Sequence, residues 1–393
     1  MYLQGFSKAD ITLLQYFIVM GREDELCDDE PTMHEPWPLG PFEKVDAANP
    51  CLGPRAETIF DCPLAGPVAW EAKDVFNPAA VVRDGKVWLL YRAEDTVGRF
   101  LGTSRIGLAR SDDGLHFTRR ATPVLYPDRD ALQAIEWEGG CEDPRIVERA
   151  EGGYVLTYTA FDGSVARLCV ATSDDLVTWR KHGPAFGDAF AGWWSKSGAI
   201  VCRRDGERLV ATRIRGRYWM YWGESDLFVA TSDDLIEWAP VLTAMPMERR
   251  IVVSRESYAI ETAAAPSVPL AVLRPRAGRF DSALVEPGPP AILTARGIVL
   301  IYNSANAAAT GDPSLPPRAY SPGQAVFDPA DPTALLWRCD APFLTADRAY
   351  EIAGQVNHVV FVEGIVPFGG RWLIYYGTAD SLIAVAQGPA IDE

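Results

Sequence analysis

Three stretches of the chain repeat one another about every 60 residues, and this constrains the fold more than any other feature. Each is an apolar run, then Ser-Asp-Asp, then an aromatic: Ser111-Asp112-Asp113 before Phe117, Ser173-Asp174-Asp175 before Trp179, and Ser232-Asp233-Asp234 before Trp238. Ser and Asp side chains bond nearby backbone amides and so favour tight turns. Each unit therefore reads as a strand, a turn, and an aromatic that pins the next strand. Short β-rich runs fall between the units, at Val87–Tyr91, Tyr154–Tyr158, Ile298–Tyr302 and Trp372–Tyr376. Most follow a turn such as Asp84-Gly85 or Gly369-Gly370. No long helical period appears after residue 60. Residues 61–393 divided by the repeat give about five units, so the expectation is an all-β, five-bladed β-propeller. A two-sheet sandwich would not explain repeats this long. Residues 1–60 read as an irregular, partly helical N-terminal extension, residues 240–276 as an insertion or long loop, and 307–322 as a surface loop.

Charge narrows the partners. The chain has 37 Lys plus Arg against 53 Asp plus Glu, a net charge of −16. Such a surface repels nucleic-acid phosphates and anionic membranes, whereas a neutral sugar is compatible with it. The seven cysteines, at 27, 51, 62, 141, 169, 202 and 339, form no C-x-x-C pair, and the four histidines are widely separated. No metal site and no cofactor are expected, and an odd, dispersed set of thiols suits a reducing, cytoplasmic setting. The apolar run Ile11–Met20 is too short to span a bilayer and lacks the features of a cleaved leader. It reads as a short helix or packing arm, with a contact between subunits of a homo-oligomer as one use.

Propellers hold ligands where their inner strands and blade loops converge, so polar residues that interrupt apolar strands are the candidates. They are Asn77 before Pro78, Arg92 after Tyr91, the run Glu142-Asp143-Pro144-Arg145, Lys196 in Trp194-Ser-Lys-Ser-Gly198, Asp281 after Phe280, Glu286 in Glu286-Pro-Gly-Pro-Pro290, and Tyr376 and Asp380 in Tyr375-Tyr-Gly-Thr-Ala-Asp380. Each also has a plainer reading. Asp143, Asn77, Asp281 and Asp380 suit turn caps, Arg145 a surface ion pair with Glu142 or Glu148, and Arg92 and Lys196 snorkelling chains at strand ends. Most of the twelve tryptophans belong to the core, Trp179 and Trp238 among them. Trp193 and Trp194, beside Lys196, are the better sugar-stacking candidates.

Taken in order, these pieces, with Arg217-Tyr-Trp-Met-Tyr-Trp-Gly-Glu224, span residues 77–380. They resemble glycoside hydrolase family 130, the inverting β-mannoside phosphorylases and hydrolases. The resemblance implies a five-bladed propeller and a mannose-containing oligosaccharide as substrate. It implies Asp143 as general acid, acting through a sugar hydroxyl, with Asn77, Arg92, Arg145, Lys196, Asp281, Asn303, Tyr376 and Asp380 around the substrate. Phosphorylases of the family carry a cationic and histidine set for phosphate. Here Asn303 stands where they have a histidine, and Glu224 and Glu286 supply carboxylates. These departures favour water as nucleophile, with Glu224 as base and Glu286 assisting, and point to an inverting hydrolase of β-1,2-linked manno-oligosaccharides. The alternatives are a phosphorylase that takes inorganic phosphate and releases mannose 1-phosphate, and a non-catalytic sugar-binding propeller.

Overall fold

The computed structural model describes residues 37–100, 102–244, 250–253, 258–261 and 267–390. The Ile11–Met20 run lies outside them. Among the described residues the fold is all-β, with short helical turns at Gln133–Glu136, Asp188–Phe190 and Ala349–Ile352.

The three Ser-Asp-Asp units fold alike, for the reason their composition suggests. In each, the Ser hydroxyl accepts the amides two and three residues on, and the second Asp accepts the two amides beyond them. The residue after the pair takes a left-handed backbone in all three, with φ of 76° at Gly114, 67° at Leu176 and 70° at Leu235. Both leucines are buried, which offsets the cost of that conformation. The indoles of Trp179 and Trp238 close the turn by donating to the carbonyls of Leu176 and Leu235.

Most of the described strands form five consecutive antiparallel meanders, and Arg55–Cys62 with Gly66–Glu71 makes a separate hairpin before them. The first runs Asp74–Arg83, Lys86–Glu94, Ser104–Ser111 and Thr118–Arg119. The second runs Gly140–Glu148, Tyr154–Phe161, Ala166–Ser173 and Arg180–Pro184. Ala199–Asp205, Arg217–Trp222, Leu227–Ser232 and Ala239–Pro240 make the third. The fourth is Leu284–Pro287 with Ala291–Thr294, then Gly297–Ala305, Tyr320–Phe327 and Leu335–Arg338. Val360–Phe368, Arg371–Thr378 and Leu382–Pro389 begin the fifth, and Glu43–Lys44 completes it from the other end of the chain. Lys44 secures that closure through ion pairs with Asp347 and Glu351.

The first strand of each meander is almost wholly buried along its site-facing length, and these strands pack side by side. Apolar clusters fill the spaces between meanders. One joins Trp70, Leu89 and Tyr91 to Leu373, Tyr375 and Val385 of the last meander. Between 240 and 276 the chain leaves the meanders for two small antiparallel ladders, Leu242–Ala244 with Ser267–Pro269 and Arg250–Val253 with Tyr258–Glu261.

Asn303, expected at the sugar, is instead a rivet between meanders. Fully buried, it accepts the Val362 amide at 2.8 Å and donates to the Val362 carbonyl at 2.9 Å. Removing its amide leaves both backbone groups unpaired in the core. Asn303→Ala is expected to lower the unfolding free energy by roughly 2–4 kcal/mol, measured by urea denaturation.

Candidate active site

The inner strands lose their regular register where the polar residues sit. The ladder of the first meander shifts between Phe76 and Pro78, that of the second between Glu142 and Arg145, and that of the fifth between Val362 and Gly364. Each bulge frees one residue from the ladder: Asn77 and Asp143, both left-handed with φ of 46°, and Glu363. The prolines after Asn77 and Asp143 lack an amide hydrogen, so they favour an interrupted ladder.

Asn77, Asp143 and other residues from all five meanders meet at a cavity of about 150 Å³. Asn77 and Arg92 come from the first meander, Asp143 from the second, Lys196 and Glu224 from the third, Glu286 and Tyr320 from the fourth, and Phe361 and Asp380 from the fifth. Phe76, Gln355, Val356 and Val359 complete the wall. Gly377 makes room for Asn77, because a Cβ there would sit 2.3 Å from the Asn77 amide oxygen. That oxygen is buried without a hydrogen-bond partner.

Asp143 is the most enclosed carboxylate of the cavity wall apart from Glu286. Its Oδ1 accepts from Asn77 Nδ2 at 3.0 Å and from Arg92 Nη1 at 3.1 Å, and Lys196 Nζ lies 3.5 Å from Oδ2. Burial works against its charge, but Arg92, Lys196 and the Asn77 amide outweigh it and hold the carboxyl well below the usual range. Arg92 is fixed in turn by Glu94 at 2.7 Å, Glu142 at 3.0 Å and the Ser104 hydroxyl at 3.0 Å, and it lies over the Phe76 ring. Glu142 is pushed up by burial, even beside Arg92, and by its neighbour Asp143.

Lys196 Nζ also lies 3.2 Å from Glu286 Oε1, so one ammonium bridges Asp143 and Glu286. The Ser197 hydroxyl donates to the same Glu286 oxygen. Burial raises the Glu286 carboxyl above its ordinary value, and Glu224 adds to the effect. Glu224 is half-buried, and its Oε2 accepts the Trp194 indole at 2.8 Å. Asp380, left-handed at φ 50°, is pushed up to about 7, chiefly by burial and further by Asp143 and Glu94.

Four expected substrate contacts do not line the cavity, because their polar atoms are spent inside the protein. Arg145 is buried beneath the site, donating to the carbonyls of Gly288 at 2.7 Å, Pro287 at 2.8 Å and Asp143 at 3.1 Å. Its remaining charge faces Glu363, 3.0 Å away. Asp281 is sealed off by Arg276, Arg338 and the Tyr302 hydroxyl. Asn303 holds Val362, as above. Tyr376 is a core residue whose hydroxyl donates to Glu351 at 3.1 Å.

Sequence reasoning passed over Glu363, a fully buried carboxylic acid that lacks a hydrogen bond to either oxygen. Burial raises its carboxyl well above the ordinary value, Arg145 opposes this, and Asp143 and Glu286 add to it. The available signal was a lone Glu in the apolar run Val359–Pro367. Among the described residues, no group of three or more His, Cys, Asp and Glu is arranged to hold a metal ion.

The comparisons with known proteins agree with this architecture. Residues 52–392 match the family profile of glycoside hydrolase 130, described as beta-1,4-mannooligosaccharide phosphorylase. The chain belongs to glycoside hydrolase family 130, enzymes that act on β-mannosides. It is 29% identical to a 1,2-beta-oligomannan phosphorylase of Thermoanaerobacter sp. (strain X514), over 84% of this chain and 96% of the relative. Solved structures resemble it more strongly. A glycosyl hydrolase from Bacteroides ovatus is 43% identical with a TM-score of 0.81, covering 91% of this chain and 95% of its own. A structure from work on glycoside hydrolases within the GH130 family of mannoside phosphorylases, which target beta-1,2 mannosidic linkages in Candida mannan, is 42% identical. Its TM-score is 0.81, covering 94% and 98%.

The Asp380 carboxyl gives the site a pH signature. Its folded value of about 7 lies above the ordinary aspartate value of 3.8, so between those limits the folded state holds a proton that the unfolded state has released. This contribution to stability is present below about pH 4 and is lost as pH rises through 7. Asp380→Asn is therefore expected to lose less stability than wild type between pH 5 and pH 8, by roughly 1–3 kcal/mol, measured by denaturant titration at each pH.

Proposed function

We propose that the protein is an inverting β-mannoside hydrolase of β-1,2-linked manno-oligosaccharides, built on a five-bladed β-propeller. The five meanders, each lending residues to one cavity, support the propeller reading. The observation that carries the hydrolytic reading is that Glu224 and Glu286 line the same cavity as Asp143. A phosphate dianion there would face Asp143, Glu224, Glu286 and Asp380, while Arg92 and Lys196 are already paired with carboxylates. No histidine is among the lining residues. A neutral water meets no such repulsion. The 42–43% identity to solved hydrolases, against 29% to the phosphorylase, supports the same choice.

In this mechanism Glu224 takes a proton from water as its oxygen attacks the anomeric carbon. The glycosidic C–O bond breaks on the opposite face, and the leaving oxygen receives a proton that originates at Asp143 and passes through a sugar hydroxyl. Asp143 is ionised in the free site, so it takes up that proton from solvent as sugar displaces water and deepens the desolvation that already raises Glu142 and Asp380. Lys196 and Ser197 keep Glu286 beside the attacking water. Arg145 sets the distance between Asp143 and Glu286 by holding the backbone of both segments. The unpaired thiols among the described residues support a reducing setting.

Phosphorolysis is the second reading, favoured by the family profile's description and by the curated relative. Incubation of β-1,2-mannobiose with the enzyme, with and without inorganic phosphate, separates the two. The expected product is mannose at equal rates in both, appearing first as the α-anomer by proton NMR. Strict dependence on phosphate, with mannose 1-phosphate as product, overturns the hydrolase reading. Asp143→Asn and Glu224→Gln are each expected to lower kcat by roughly 10²–10⁴-fold in the same assay while remaining folded.

A further inference from the structure

A row of aromatic rings begins at Trp194, beside Glu224 of the cavity wall. Trp194 is 52% exposed and Phe100 40% exposed, with the half-buried Phe161 between them. The ring centres lie 6.2 Å apart from Phe100 to Phe161 and 6.3 Å from Phe161 to Trp194. The row runs into the site, because the Trp194 indole donates to Glu224.

The outer end of the row is rigidly held. Asp95 Oδ1 accepts the amides of Val97, Gly98 and Thr103 at 3.0–3.1 Å, and its Oδ2 pairs with Arg105 at 2.7 Å. The Arg99 amide is tied to Glu138 at 3.0 Å, and its guanidinium lies over the Phe100 ring. Gly163 is bare where Phe100 lands, since a Cβ there would fall 1.9 Å from the ring. Apolar groups exposed side by side mark a binding surface.

The cavity, at about 150 Å³, is smaller than the roughly 300 Å³ at which pockets for drug-sized ligands begin. It takes a single pyranose, so the rest of an oligosaccharide lies outside. We propose that Phe100, Phe161 and Trp194 form a platform on which the outer sugars of a β-mannan chain stack, making longer oligosaccharides better substrates than the disaccharide. Pyranose rings present flat C–H faces to such aromatics, and the neutral chain avoids the acidic surface. The proposal rests on the mannoside reading of the site.

The test is kcat/KM on β-1,2-linked mannobiose, mannotriose and mannotetraose, with and without phosphate so that either reaction registers. Wild type is expected to gain roughly three- to tenfold from disaccharide to tetrasaccharide, the worth of one or two aromatic contacts. Phe100→Ala is expected to abolish the gain and leave mannobiose turnover unchanged, and Phe100→Trp to keep it. A flat wild-type profile, or a gain that survives in Phe100→Ala, overturns the platform. If wild type turns over none of the three, the functional reading fails and calorimetric titration with mannotetraose decides the platform. Weaker binding by Phe100→Ala upholds it there, and equal or no binding by both proteins overturns it.

Discussion

The buried guanidinium of Arg145 sits under the whole arrangement. It bonds the backbone of Asp143 from the second meander and the carbonyls of Pro287 and Gly288 from the fourth, and it faces Glu363 from the fifth. A charge removed from water is tolerable only if its donors are satisfied, and this one satisfies them on groups that must stay in place for the cavity to exist. Three inner strands are thereby held at one point, directly below the residues that face the ligand. Glu363 faces that charge on its other side, 3.0 Å away.

Above that floor, charge balance dominates. Glu94, Glu142, Asp143, Glu286 and Asp380 crowd around Arg92 and Lys196, with Glu224 at the edge. The two cations cannot hold every carboxylate ionised, so the acids sort by environment. Asp143, touched by both cations and by the Asn77 amide, keeps its charge, whereas Glu142, Glu286 and Asp380 are raised by burial. A site poised in this way can gain or release protons as its water content changes.

Much of the cavity was legible from residue type alone. Asn77, Arg92, Asp143, Lys196, Glu224, Glu286 and Asp380 all interrupt or end apolar strands, and all meet at one wall. The same signal misplaced Arg145, Asp281, Asn303 and Tyr376, since a polar side chain in an apolar strand has two uses. It faces a ligand, or it pairs with another buried polar group. The partners that took these four are Glu363, Arg276 with Arg338, Val362 and Glu351. All but Arg276 lie more than 20 residues away, beyond what local pattern reveals.

The sequence by itself determined the all-β character and the repeated turn. Ser-Asp-Asp followed by an aromatic specifies its own hydrogen bonds within seven residues, without help from the rest of the chain. Only the tertiary structure decided which carboxylates share a cation, which acid stays ionised, and which aromatics remain exposed. Those properties depend on distances between residues from different meanders and on the water excluded between them, and neither is encoded in any one segment.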